Sequence, residues 1–121
     1  MKIYVPYICI RIQPHKRKPG KFEADTYFAI QTEGIMRGES EIIVRFDRDK
    51  ARTETVNAST DRRAGFFTRP APLVREMLSH TNMTIRYETT LGHIRMTSFD
   101  VSGLTNAINQ VKSQYLADRE L

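Results

Sequence analysis

Along most of the chain, apolar residues recur at every second position, the spacing that places side chains on alternate faces of an extended strand. Residues 3–12 read as one such strand, with Ile8, Ile10 and Ile12 on one face and Cys9 and Arg11 on the other. Pro6 cannot donate to a ladder, which points to an edge strand, a bulge or a late start. A turn over residues 15–21, punctuated by Pro19-Gly20, leads to a return strand over residues 22–32, in which Ala24, Thr26, Phe28 and Ile30 share a face. After a loop over residues 34–38, residues 41–46 and 52–58 read as a hairpin closed by the acid-rich turn 47–50. Residues 61–68 read as a further turn that carries Phe66 and Phe67 into the core. Residues 83–89 and 93–99 form a last hairpin, turned at Leu91-Gly92.

Two stretches change period from two to about 3.6. Pro70 and Pro72 suit a helix opening, where a missing N–H leaves nothing unsatisfied. A short helix is expected over about 72–79, burying Leu73, Val74, Met77 and Leu78. Near the C-terminus, Leu104, Ala107, Ile108, Val111 and Tyr115 fall at three- and four-residue steps, opposite Thr105, Asn106, Asn109, Gln110 and Lys112. That is one apolar stripe on an amphipathic helix over about 103–117, capped by Asp100 or Ser102 and packed on a sheet. The pattern predicts an α+β fold: a mainly antiparallel sheet of about six strands backed by the two helices.

At 121 residues the chain has room for one core, and no composition shift or repeat divides it, so residues 1–121 read as a single domain. Nineteen basic residues against fourteen acidic ones give a net charge of +5, which favours acidic partners in general: nucleic acid, anionic lipid or an acidic protein. Cys9 is the only cysteine, so an intrachain disulfide is excluded. In the run Ile8-Cys9-Ile10 it reads as a small buried hydrophobe rather than a reactive thiol. The opening residues lack the pattern of a secretory signal, and no apolar run reaches the length of a membrane span, so the expected compartment is the cytoplasm.

Candidate chemistry is sparse. His15, His80 and His93 have no further ligand type at metal-binding intervals, so neither a metal nor a cofactor is expected. Asp47 and Asp49 lie in one turn, where such acids usually bond the turn's own amides. A small hydrolase using Asp47 or Asp49 with His93 is the weakest of three functional readings. No serine sits in a glycine-framed elbow, and Gly34-Ile35-Met36-Arg37-Gly38 lacks the Lys-Thr end of a phosphate loop. The basic residues carry more. Lys16, Arg17, Lys18 and Lys21 crowd one hairpin tip with His15, either as a contact for an acidic surface or as a solvated turn that keeps an edge soluble. Arg62 and Arg63 follow Ser59-Thr60-Asp61 and either pair locally with Asp61 or grip an external carboxylate. The leading expectation is a non-enzymatic module that binds a protein partner through exposed strand edges and these six residues, with self-association through the same edge. The runner-up is a nucleic-acid binder using the six cations.

Residues 42–113 also carry the blocks Val44-Arg45-Phe46-Asp47, Ser59-Thr60-Asp61, a Pro-flanked helix ending at Leu78, and Thr97-Ser98-Phe99-Asp100-Val101-Ser102-Gly103-Leu104. Together they resemble the TagO and VasI accessory family associated with type VI secretion. The resemblance implies the fold and a non-catalytic binding role, with no catalytic residues to carry over. The chain departs from that family in lacking an export signal, a tryptophan in the central hairpin and a second cysteine to partner Cys9. Those departures fit an intracellular setting, and an unexported binding domain is also what a phage or mobile element encodes to inhibit a host complex.

Overall fold

A computed structural model describes the backbone of residues 7–30, 34–35 and 38–120, with side chains through residue 114. The expected strand positions 3–6, Pro6 among them, together with 31–32 and the side chain of the stripe residue Tyr115, lie outside this description. The elements run β1 (Tyr7–Pro14), β2 (Phe22–Ala29), β3 (Glu39–Phe46), β4 (Arg52–Ala58), β5 (Ala64–Phe67), α1 (Pro70–Leu78), β6 (Asn82–Glu88), β7 (Ile94–Asp100) and α2 (Leu104–Glu120). All strands join one sheet in the order β1-β2-β5-β4-β3-β6-β7. Every neighbouring pair is antiparallel. The sheet curls into a half-barrel. The fold is therefore α+β with an antiparallel sheet.

The period-two pattern decides which face is buried. Phe28, Ile42, Val44, Phe46, Val56, Phe67, Met83, Ile85 and Tyr87 line the inner face and form one cluster with Leu73 and Met77 of α1. Ile8 and Ile10 of β1 and Leu104 of α2 pack against its margin. The opposite, outer face carries Cys9, Arg11, Asp25, Tyr27, Phe66, Asn57, Ile43, Arg86 and Met96, which follow one another through the cross-strand register. Helix α1 crosses from β5 to β6, and α2 returns from β7 to lie against β1. An apolar cleft of about 330 Å³ remains between β1 and α2, walled by Ile8, Ile10, Ile12, Leu104, Ile108 and Val111.

Three expectations need correction. The described residues hold seven strands rather than six, because residues 64–67 form β5 in the middle of the sheet instead of a turn. Only Phe67 of the expected aromatic pair enters the core, at 3% exposure. Adjacent strand residues face opposite ways, so Phe66 lies on the outer face, its ring 5.1 Å from that of Tyr27. Leu78 ends α1 facing outward at 39% exposure, while Leu73, Val74 and Met77 are buried as expected. The short β5 is possible because Gly65 brings no side chain: a Cβ there meets Phe28 Cε1 at 2.7 Å.

The acidic blocks prove to be joints. Asp47, at φ 49°, accepts from the Thr81 hydroxyl at 2.9 Å and the Asn82 N–H at 2.8 Å, tying the β3–β4 turn to the start of β6. Asp61 accepts the Ser59 hydroxyl at 2.7 Å and the Arg63 N–H at 3.0 Å. Asp100 accepts the Ser102 N–H at 2.9 Å, shaping the approach to α2. Donors of this kind favour the ionised form. They hold all three carboxyls below the usual range, chiefly through the hydroxyls of Thr81, Ser59 and Ser102 respectively.

Candidate protein-binding edge and basic turns

Strand β7 ends the sheet. It pairs with β6 without interruption from Asn82↔Asp100 to Glu88↔Ile94, and its other side has no strand partner among the described residues. Its outer-face side chains include Ile94 at 57% exposure and Met96 at 69%, and Leu91 in the preceding turn is 69% exposed. Register continues this apolar row inward through Arg86 to Ile43, itself 38% exposed. Folded proteins usually blunt such an edge with a bulge, proline or inward-pointing charge. Here the seven residues of β7 pair regularly, with no bulge or proline, and Arg95, on the same inner face as Phe99, is the strand's one inward-pointing charge. The opposite edge, β1, differs: α2 lies against it and it stops at Pro14.

The two basic turns stand apart. Lys16, Arg17, Lys18 and Lys21 are exposed at the tip of the β1–β2 hairpin, where the His15 N–H donates to the Lys21 carbonyl at 2.8 Å. Arg62 and Arg63 lie in the β4–β5 turn, whose Arg63 carbonyl accepts from Ile30 just beyond the other end of β2. Strand β1 is eight residues long, so the turns are separated by roughly 23 Å at about 3.3 Å per residue. That exceeds the Debye length of about 8 Å at physiological salt, so they do not act as one electrostatic patch. Arg62 also has a structural duty. At φ 60° it is half-buried, and its carbonyl accepts the Ile35 N–H at 2.9 Å. Arg63 meets Asp61 through its backbone N–H.

A polar cluster that the sequence reading missed joins α1 to the β3–β4 turn. His80 Nε2 lies 2.7 Å from Asp49 Oδ2, and Nδ1 lies 2.6 Å from the Glu76 carbonyl. Both neighbours are acceptors, so the doubly protonated ring satisfies both and a neutral ring satisfies one. The Glu76 carbonyl first, then the Asp49 carboxylate, raise the His80 pKa above its ordinary value. The Ser79 hydroxyl is 3.1 Å from Nδ1, which outwardly resembles a nucleophile–base pair. However, the Glu76 carbonyl claims that nitrogen's proton, and the hydroxyl itself donates to the same carbonyl at 3.1 Å. The cluster is a clamp on the end of α1, with Arg52 stacked 5.1 Å from the Phe46 ring beside it.

The structure does not bring His93 to Asp47 or Asp49. The aspartates adjoin the first residues of β6, and His93 follows its last, a full strand away. Among the described residues no group of His, Cys, Asp and Glu is placed to hold a metal ion. No described helix is long and apolar enough to cross a membrane.

On the outer face, Tyr7, Tyr27 and Phe66 form an aromatic row with Arg11 5.7 Å from the Tyr27 ring and ion-paired to Asp25. Half-buried Cys9 stands beside Tyr27, and a hydrogen bond between them helps push the Tyr27 phenol up to about 12. The sequence signal for β7 was visible as the alternation Ile94, Met96, Ser98, but alternation is the same at an edge as at the centre of a sheet. No family model matches the chain, and no curated protein or solved structure matches it.

Proposed function

We propose that the chain is a non-catalytic protein-binding module that receives a partner's extended segment along β7. The observation that carries this reading is the regular, seven-residue outermost strand with Ile94 and Met96 more than half exposed. Main-chain hydrogen bonds along such an edge supply affinity, and the alternate side chains supply selectivity. The exposed turn with Lys16, Arg17, Lys18 and Lys21 offers a separate electrostatic contact for an acidic partner surface, and Arg63 a third point at the far end of the sheet. The same mode of action would serve the roles expected from the sequence, a cytoplasmic inhibitor of a host complex or an accessory of the TagO and VasI kind. Nucleic-acid binding is the second reading, favoured by the four exposed cations of the β1–β2 turn.

The test compares complexes captured from source-cell lysate by three proteins: the wild type, an Ile94→Lys/Met96→Lys variant and a variant with Lys16, Arg17, Lys18 and Lys21 all replaced by Ala. The proposal expects a discrete protein complex that the edge variant loses and that persists as salt is raised. Capture of nucleic acid that falls steeply with salt through counterion release, and is lost only in the Ala variant, supports the second reading instead.

A further inference from the structure

We infer that β7 pairs with β7 of a second copy of this chain, continuing the sheet across a two-fold axis at Met96. The inference rests on the proposed open edge and names one occupant for it. In an antiparallel pair, residues directly opposite share a face, so a symmetric pairing that keeps the two outer faces together allows only a few registers. Setting Arg95 opposite itself brings like charges together, which is destabilising. Setting Thr97 opposite itself places Ile94 against the partner's Asp100. Setting Met96 opposite itself avoids both: Ile94 meets Ser98, Arg95 meets Thr97, His93 meets Phe99 and Gly92 meets Asp100.

That register extends the row Ile43–Arg86–Met96 through its mirror on the second copy. It thereby covers Met96, 69% exposed in the single chain, on the side where the described residues supply no strand. The charges along the edge balance, Arg86 and Arg95 against Glu88 and Asp100, so the net charge of +5 is not concentrated where the copies meet. Such an interface is isologous and closes on itself, giving a dimer rather than a fibre.

The test is made in a Cys9→Ala background, so that the native thiol forms no crosslink. Cα atoms opposite one another across an antiparallel pair are about 4.5–5.5 Å apart, within reach of a disulfide. Met96→Cys is expected to oxidise to a covalent dimer. Ile94→Cys alone and Ser98→Cys alone are not, while the Ile94→Cys/Ser98→Cys pair is. The Cys9→Ala protein should weigh twice 14.0 kDa by light scattering at high concentration. Met96→Lys should raise the dimer dissociation constant by about tenfold or more, since the axis sets two like charges face to face. A protein that stays monomeric at the highest attainable concentration overturns the inference, as does a dimer that crosslinks at other positions only. Hydrogen exchange separates the two failures. A monomer in which alternate β7 amides exchange freely leaves the open edge standing without a second copy. A dilute monomer with every β7 amide protected overturns the open edge itself.

Discussion

Replacing Gly65 by alanine gives two opposed effects whose sum has a definite sign. Gly65 is not in the left-handed region, so alanine fits its backbone. With nothing nearby, the substitution would stabilise a strand by about 0.5–1 kcal/mol, by lowering the entropy of the unfolded chain. The added methyl is not free, however. It lies 2.7 Å from Phe28 Cε1 and 3.0 Å from Ile35 Cδ1, and the Phe28 ring is wholly buried against Phe67 and Tyr87. Overpacking a core costs about 1–3 kcal/mol, and a contact under 3.0 Å against a wholly buried ring puts this site in the upper half of that range, so the net change is a destabilisation of about 1–2.5 kcal/mol. For a chain of this size that lowers Tm by roughly 3–8 °C. Urea unfolding followed by far-ultraviolet circular dichroism gives the shift. Repeating it with Phe28→Leu measures the coupling, because removing the ring edge should recover part of the loss. An unchanged or raised stability in Gly65→Ala would refute the placement of β5 between β2 and β4, since only that placement sets Gly65 against Phe28.

Three other perturbations have definite expected outcomes. His80 has a raised pKa in the folded chain, so its contribution is complete below the ordinary value near 6.5 and is lost as pH rises through the folded value. Urea midpoints should fall as pH rises from about 6.5 through the raised folded value, and His80→Gln should remove that part of the fall. Asp47, held below the ordinary carboxyl range by Thr81 and Asn82, contributes above the ordinary value and loses its effect as pH drops through the folded one. Asp47→Asn should therefore lower the neutral-pH midpoint and leave acid stability little changed in the same titration. Thr26 is fully buried, and its hydroxyl has no hydrogen-bond partner among the described residues. Thr26→Val should thus stabilise by about 1 kcal/mol in thermal melts; a loss instead would mean that the hydroxyl is satisfied.

What the sequence conveyed and what it did not divides along physical lines. Period-two alternation located β1, β2, β3, β4, β6 and β7 and their hairpins, and three- and four-residue steps located α2, because those patterns report burial directly. Strand β5 escaped because it is four residues long, contains Gly65 and follows the polar turn at Asp61, all of which resemble a loop. Local pattern says nothing of lateral order, so neither the insertion of β5 between β2 and β4 nor the outermost position of β7 was readable. For the same reason the sequence showed two basic turns without showing how far apart they lie, which the eight-residue length of β1 and β2 sets. The pairing of His80 with Asp49 spans 31 residues and depends on where α1 ends. The acidic blocks carrying the family resemblance were legible as turn signals, and their hydrogen bonds to Thr81, Ser59 and Ser102 show why an acid occupies each joint.

The most direct test of action through β7 is a photo-crosslinking scan in source cells, with a benzophenone side chain placed in turn at Ile94, Met96, Lys18 and Arg63. The account predicts that positions 94 and 96 capture a protein, a second copy of this chain included, and that the yield exceeds that from positions 18 and 63. Crosslinks confined to position 18 or 63, or none from β7, would contradict it.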